Sequence, residues 1–110
     1  MKISVSETDN AVIIKLEGEI MLGYEANDFH EAVRGSIEKN KKNIIVDMSA
    51  VKLISSWGIG ILMYGYTTAT NAEIKFKLAA VPKNISETFQ KIKVDSIFKQ
   101  FNSVEEALKA

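Results

Sequence analysis

Apolar and polar residues alternate with period two at the start of the chain. Ile3 and Val5 stand against Ser4 and Ser6, then Val12, Ile14 and Leu16 against Lys15 and Glu17. That period marks strands with one buried face. Thr8-Asp9-Asn10 between them is turn chemistry, so the two strands are expected to pair as an antiparallel hairpin, with Gly18 closing the second. The period then lengthens. Ala26, Phe29, Val33 and Ile37 recur at helical spacing and predict a helix from about Glu25 to Glu38. Lys39-Asn40-Lys41-Lys42 reads as a solvated connection. Ile44 to Met48 is apolar except at Asp47, the pattern of a central strand.

A second helix is expected from about Trp57 to Thr70, followed by a strand in which Ile74, Phe76 and Leu78 alternate with Lys75 and Lys77. Pro82 ends that unit. Asn84, with Glu87 three residues on, has the spacing of a capping box, and Ile85, Phe89 and Ile92 supply the apolar stripe of a third helix. Ile97 to Phe101 fits a last short strand. Ser103 and Glu106 form a second capping box, opening a C-terminal helix whose Val104, Ala107 and Leu108 face inward. The order β-β-α-β-α-β-α-(β)-α calls for an α/β fold with parallel pairing and right-handed crossovers. Ser, Lys and Glu on the outer face of several strands suggest that helices cover mostly one sheet face. No linker, repeat or low-complexity segment divides the chain, so residues 1–110 read as one domain.

The charge balance excludes some functions. With 14 basic and 14 acidic residues the formal net charge is zero, which argues against broad electrostatic binding to nucleic acid or anionic membrane. There is no cysteine, which removes disulfides, thiolate nucleophiles and Cys-based zinc sites. His30 is the only histidine, so a His-rich metal site cannot form; no metal and no cofactor is expected. The N-terminal residues lack a signal-peptide pattern, and the longest apolar run, Ile59 to Tyr66, is too short to span a bilayer. The simplest expectation is a cytoplasmic protein.

The chemistry concentrates where the central strand hands over to the second helix, at Ile54-Ser55-Ser56-Trp57-Gly58-Ile59-Gly60. A helix N-terminus presents unpaired N–H groups and favours negative charge. Two readings of the serines stay open. One of them is an N-cap, contributing roughly 0.5–2 kcal/mol; or the turn carries a phosphoserine, about −1.5 to −2 charges that the fold tolerates there while the surface changes sign. Each glycine inside the helix costs about 1 kcal/mol relative to alanine. Gly58 and Gly60 therefore serve either a partner's approach to the backbone around Ser56 or close packing in the fold. Trp57 is an interface anchor if exposed and ordinary core if buried.

The run Ile45-Val46-Asp47-Met48-Ser49, followed by this serine turn, resembles the signature of STAS domains, in particular bacterial anti-sigma-factor antagonists. Gly18-Glu19-Ile20 resembles the family's early Gly-x-Leu/Ile element, and Val94 to Ala107 its C-terminal ending. The resemblance implies a single STAS-like domain, with a mixed four- to five-stranded sheet and about four helices. It also implies a partner switch. The unphosphorylated form binds an anti-sigma factor, usually a serine kinase of GHKL type, and so releases a sigma factor for transcription. Phosphorylation on the turn ends binding, and a PP2C-type phosphatase restores it. Aligned on the Gly-x-Gly pair, the phosphoacceptor falls on Ser56, with Ser55 as the alternative, and Ser55, Ser56, Trp57, Gly58 and Gly60 form the contacted turn. The chain departs from the family pattern at two acidic positions, which here are Ser55 and Met21.

The remaining constellations are plainer. His30 reads as a solvated helix histidine, and Asp47 as a local hydrogen-bonding or capping group near the turn. Ser-His-Asp catalysis would need His30 to reach Ser56, and nothing in the sequence brings them together, so no enzymatic activity is expected. Walker and dinucleotide patterns are absent. The second helix is apolar nearly all round, leaving a stripe for a partner or for a homodimer. The rival role for the same fold is a non-phosphorylated scaffold, in a stressosome-like assembly or as the soluble STAS subunit of an ABC-transporter complex.

Overall fold

The structure, a computed structural model, describes residues 2–21 and 26–110, with residues 19–21 as backbone only. Five strands and four helices alternate as expected: β1 Lys2–Glu7, β2 Ala11–Met21, α1 Ala26–Glu38, β3 Asn43–Ile54, α2 Ser56–Asn71, β4 Lys75–Ala79, α3 Lys83–Lys91, β5 Lys99–Phe101 and α4 Val104–Lys109. The expected helix start at Glu25 lies outside the described residues. The strands form one sheet in the order β1-β2-β3-β4-β5, antiparallel between β1 and β2 and parallel thereafter. The chain is an α/β fold built on a five-stranded mixed sheet.

The period-two pattern is realised in the hairpin register. Ile3 faces Leu16 and Val5 faces Ile14, while Ser4 faces Lys15 and Lys2 faces Glu17. One sheet face thus collects Val12, Ile14, Leu16, Ile44, Val46, Met48, Phe76 and Leu78, and α1, α2 and α3 lay Phe29, Val33, Leu62, Ala69, Ile85 and Phe89 over them. Burying these large side chains is the main drive to fold. The opposite face is covered only in part, by α4. There Ala107 meets Ala11, Ile45 and Ala79, with Ile13, Phe101 and Val104 around them.

Lys77, on the face of β4 opposite Phe76 and Leu78, is not left to solvent. It lies under α4, 2% exposed. Its Nζ donates to the main-chain oxygens of Ala107 and Ala110, each at 2.9 Å, and stands 5.6 Å from the centroid of the Phe101 ring. A cation at the end of α4 satisfies carbonyls that the helix itself leaves unpaired. Burial, then the neighbouring Lys75 and Lys99, hold its pKa below the usual lysine value.

Other expectations are corrected at element ends. Asn84 is not a cap. Pro82, with φ fixed at −58°, precedes α3, and its carbonyl receives the N–H groups of Ile85 and Ser86. The Asn84 amide instead donates to the carbonyl of Lys52 at 2.8 Å, tying α3 to the end of β3. Because α3 stops at Lys91, Ile92 leaves the stripe and is exposed. The last strand begins at Lys99 rather than Ile97. Ser103 does cap α4, accepting from Glu106 N at 3.1 Å, while the Glu106 carboxylate reaches back to Asn102 N. Ala107 on that helix is buried, but Leu108 is exposed.

Candidate functional site

The site is set by the end of β3. Asp47 Oδ1 accepts from Ser49 N at 3.0 Å, and around it the pairing of β2 with β3 shifts register between Lys15 and Glu17. Asp47 is thus the local hydrogen-bonding group expected of it. Beyond Asp47 the pairing with β4 ends, and β3 continues on β2 alone to Ile54. The chain then turns into α2.

Ser55 makes that turn. Its backbone is extended (φ −93°, ψ 171°) and its Oγ accepts from Gly58 N at 3.1 Å, while its carbonyl receives Ile59 N at 3.0 Å. This is N-cap geometry, with two groups of the first turn satisfied by one residue. The helix accordingly starts at Ser56, one residue earlier than expected. Ser56 is exposed, and its Oγ makes no hydrogen bond among the described residues. The adjacent serines therefore divide the labour: one hydroxyl closes the helix end and the next faces water.

The other residues of the turn separate in the same way. Trp57 is 77% exposed, which rules out its core reading. Gly60 is exposed, with open space where a Cβ would stand. Gly58 is buried and its N–H is taken by Ser55, which leaves Ser56, Trp57 and Gly60 as the exposed residues of the turn. Gly65 is a packing residue. A Cβ there would lie 2.7 Å from Phe29 Cε2 and 3.2 Å from Phe76 Cε2, so α1 and β4 both close on the bare backbone.

Between α1 and α2 lies a groove of about 470 Å³, lined by Ala26, His30, Ser56, Trp57, Gly60, Ile61 and Tyr64. Its size is that of a small ligand site or a socket for a partner's side chains. The helix forming one wall carries no charged residue over its 16 positions, so its outward face is neutral. Tyr64, 45% exposed, stacks on His30 with ring centroids 3.8 Å apart and planes inclined by 32°. His30 is thus not the solvated histidine expected. It is half-buried, its Nε2 is buried without a hydrogen-bond partner among the described residues, and burial followed by the Arg34 cation holds its pKa below the usual imidazole value.

The fold therefore brings His30 and Ser56 to one groove, which sequence reasoning did not. No hydrogen bond joins them, and none of the described carboxylates orients the imidazole, whereas an activated serine needs both contacts. Among the described residues no group of three or more potential metal ligands exists, and no helix is long and apolar enough to cross a membrane.

The chain belongs to the STAS domain family, whose pattern matches residues 2–107. Solved structures similar to it include an anti-sigma factor antagonist from Mycobacterium paratuberculosis. That protein is 21% identical with a TM-score of 0.81, the match covering 98% of this chain and 91% of the other. The Bacillus cell fate determinant SpoIIAA in its phosphorylated form is 15% identical with a TM-score of 0.73, covering 98% and 97%. A sulfate transporter family protein from Wolinella succinogenes is 17% identical with a TM-score of 0.78, covering 90% and 82%. At these identities the likeness is one of fold.

Proposed function

We propose that this chain is a cytoplasmic, non-catalytic anti-sigma-factor antagonist. It binds an anti-sigma factor of the GHKL serine-kinase type through the start of α2, and phosphorylation of Ser56 ends that binding. The observation that carries the reading is the division between the two serines. Ser55 holds the helix end with its own hydroxyl, so a phosphoryl group added to Ser56 costs the fold no hydrogen bond. At the first position of α2 the added charge also meets the positive end of the helix. The partner's surface loses instead. An apolar contact over Trp57 and Gly60 would acquire a neighbour of about −1.5 to −2 charges, which must be desolvated or repelled. A PP2C-type phosphatase would restore the binding surface.

Trp57 is the anchor in this reading, because a large exposed aromatic beside an open hollow is the usual centre of an interface. Incubation with the cognate kinase and ATP, followed by mass-spectrometric mapping, tests the assignment. Modification at Ser56 is expected; modification at Ser55 or elsewhere, with Ser56 untouched, would overturn it.

A second reading keeps the same surface without the phosphate. The neutral α2 face would serve equally as a permanent docking surface in a stressosome-like scaffold or an ABC-transporter complex. Co-purification with an ABC-type ATPase in place of a GHKL-type kinase would favour it.

A further inference from the structure

The groove beside Ser56 contains a group that the partner switch as described does not use. His30 Nε2 is buried and has no hydrogen-bond partner among the described residues. A buried polar atom in that condition is costly, and its neighbourhood normally supplies a reason. The imidazole stacks on Tyr64 and lies tilted against Phe29, with ring centroids 6.5 Å apart. The charged groups near it are few. On its own helix Arg34 lies one turn further on and disfavours a second positive charge, and Asp28 and Glu31 are exposed. The wall formed by α2 offers only the Tyr64 phenol, since that helix has no charged residue. From β1, which also touches α1, come Lys2 and Glu7, and Glu7 is paired with Lys39 at 3.0 Å. Ser56 stands on the rim of the same groove.

We propose that His30 binds, by a hydrogen bond and without any transfer, the phosphate carried by phosphorylated Ser56. The imidazole turns from Tyr64, takes a proton from solvent and donates Nε2–H to a phosphate oxygen, so that the phosphoserine side chain itself occupies the groove and shuts out the partner. The inference rests on Ser56 being the phosphoacceptor. Its physical basis is that phosphate supplies what His30 lacks. It is an acceptor for the unpartnered nitrogen, and its negative charge offsets the Arg34 cation that now opposes protonation. Phosphorylation would then do more than repel a partner. It would fill the groove from within and unstack Tyr64, altering the surface on both sides of Gly60.

The single histidine makes the test direct. Phosphoserine is placed at position 56 by genetic encoding in the full chain, and the imidazole C–H signals are followed by NMR across pH, with the phosphate followed by 31P. The expected result is that His30 titrates about one pH unit or more higher in the phosphorylated chain. Because coupling between two sites is reciprocal, the second ionisation of the phosphate falls by a matching amount. His30→Phe, which keeps a ring against Tyr64, is expected to abolish that change in the phosphate. Titration of His30 at the same pH with and without phosphate would overturn the proposal, as would a phosphate change that persists in His30→Phe. Since the phosphate is installed without a kinase, this outcome is separate from whether a kinase chooses Ser56, which phosphosite mapping decides.

Discussion

Gly60 and Gly65 lie little more than one turn apart on α2 and face opposite ways. Where Gly65 lacks a side chain, two phenylalanine rings close to van der Waals contact with the backbone; where Gly60 lacks one, nothing among the described residues stands within 4 Å. Their neighbours sort likewise. Leu62 and Ala69 are fully buried with Gly65, whereas Ser56, Trp57 and Tyr64 are exposed with Gly60. Both glycines carry the same intrinsic helix penalty of about 1 kcal/mol. At Gly65 the core offsets it by close packing. At Gly60 none of the described residues does, which is what the reading of the outward face as a binding surface explains.

Substitutions sharpen that contrast. The largest effect on stability is expected at Gly65→Ala, where the methyl collides with Phe29. Overpacking of about 1–3 kcal/mol, less the roughly 1 kcal/mol of helix propensity regained, leaves a net loss of up to about 2 kcal/mol in denaturant unfolding. An unchanged midpoint would show that Phe29 yields freely. Next comes the serine pair. Ser55→Ala is expected to lower stability by about 1 kcal/mol through the lost cap, while Ser56→Ala changes it by no more than about 0.5 kcal/mol. Equal losses would break the division between them. Gly60→Ala should raise stability by up to about 1 kcal/mol while weakening partner binding, because a methyl now fills the hollow. Stabilisation without any loss of affinity would show that the partner does not use that space.

The smallest effect concerns pH. The His30 pKa is lowered in the folded chain, by burial first and then by Arg34. The unfolded chain therefore takes up its proton first as pH falls. The contribution of His30 to stability is complete above the ordinary imidazole value of about 6.5 and is lost as pH falls from there through the lower folded value. His30→Phe should flatten unfolding stability across that window. An undiminished slope in the variant would assign the dependence elsewhere.

Much of this was legible from the sequence. The period-two and helical patterns gave the order of elements, and the serine turn in its strand-to-helix context located the site. What escaped was set by partners distant in the chain. Asn84 has the spacing of a cap but spends its amide on Lys52, brought to it by the sheet. Lys77 alternates like a solvated strand residue, yet α4 folds over it and its cation closes that helix's end. His30 has ordinary neighbours in sequence, and its stack on Tyr64 joins α1 to α2, which close on each other beside Gly65. The division between Ser55 and Ser56 depended on where the helix begins, which periodicity resolves only to a residue or two.

The most direct test compares partner affinity for the unmodified chain and for the chain carrying phosphoserine at position 56, with thermal unfolding measured on both. The account expects binding to weaken by about 100-fold or more, roughly 3 kcal/mol, while the melting temperature stays within a few degrees. Equal affinity of the two forms, or an affinity loss matched by unfolding of the phosphorylated chain, would contradict it.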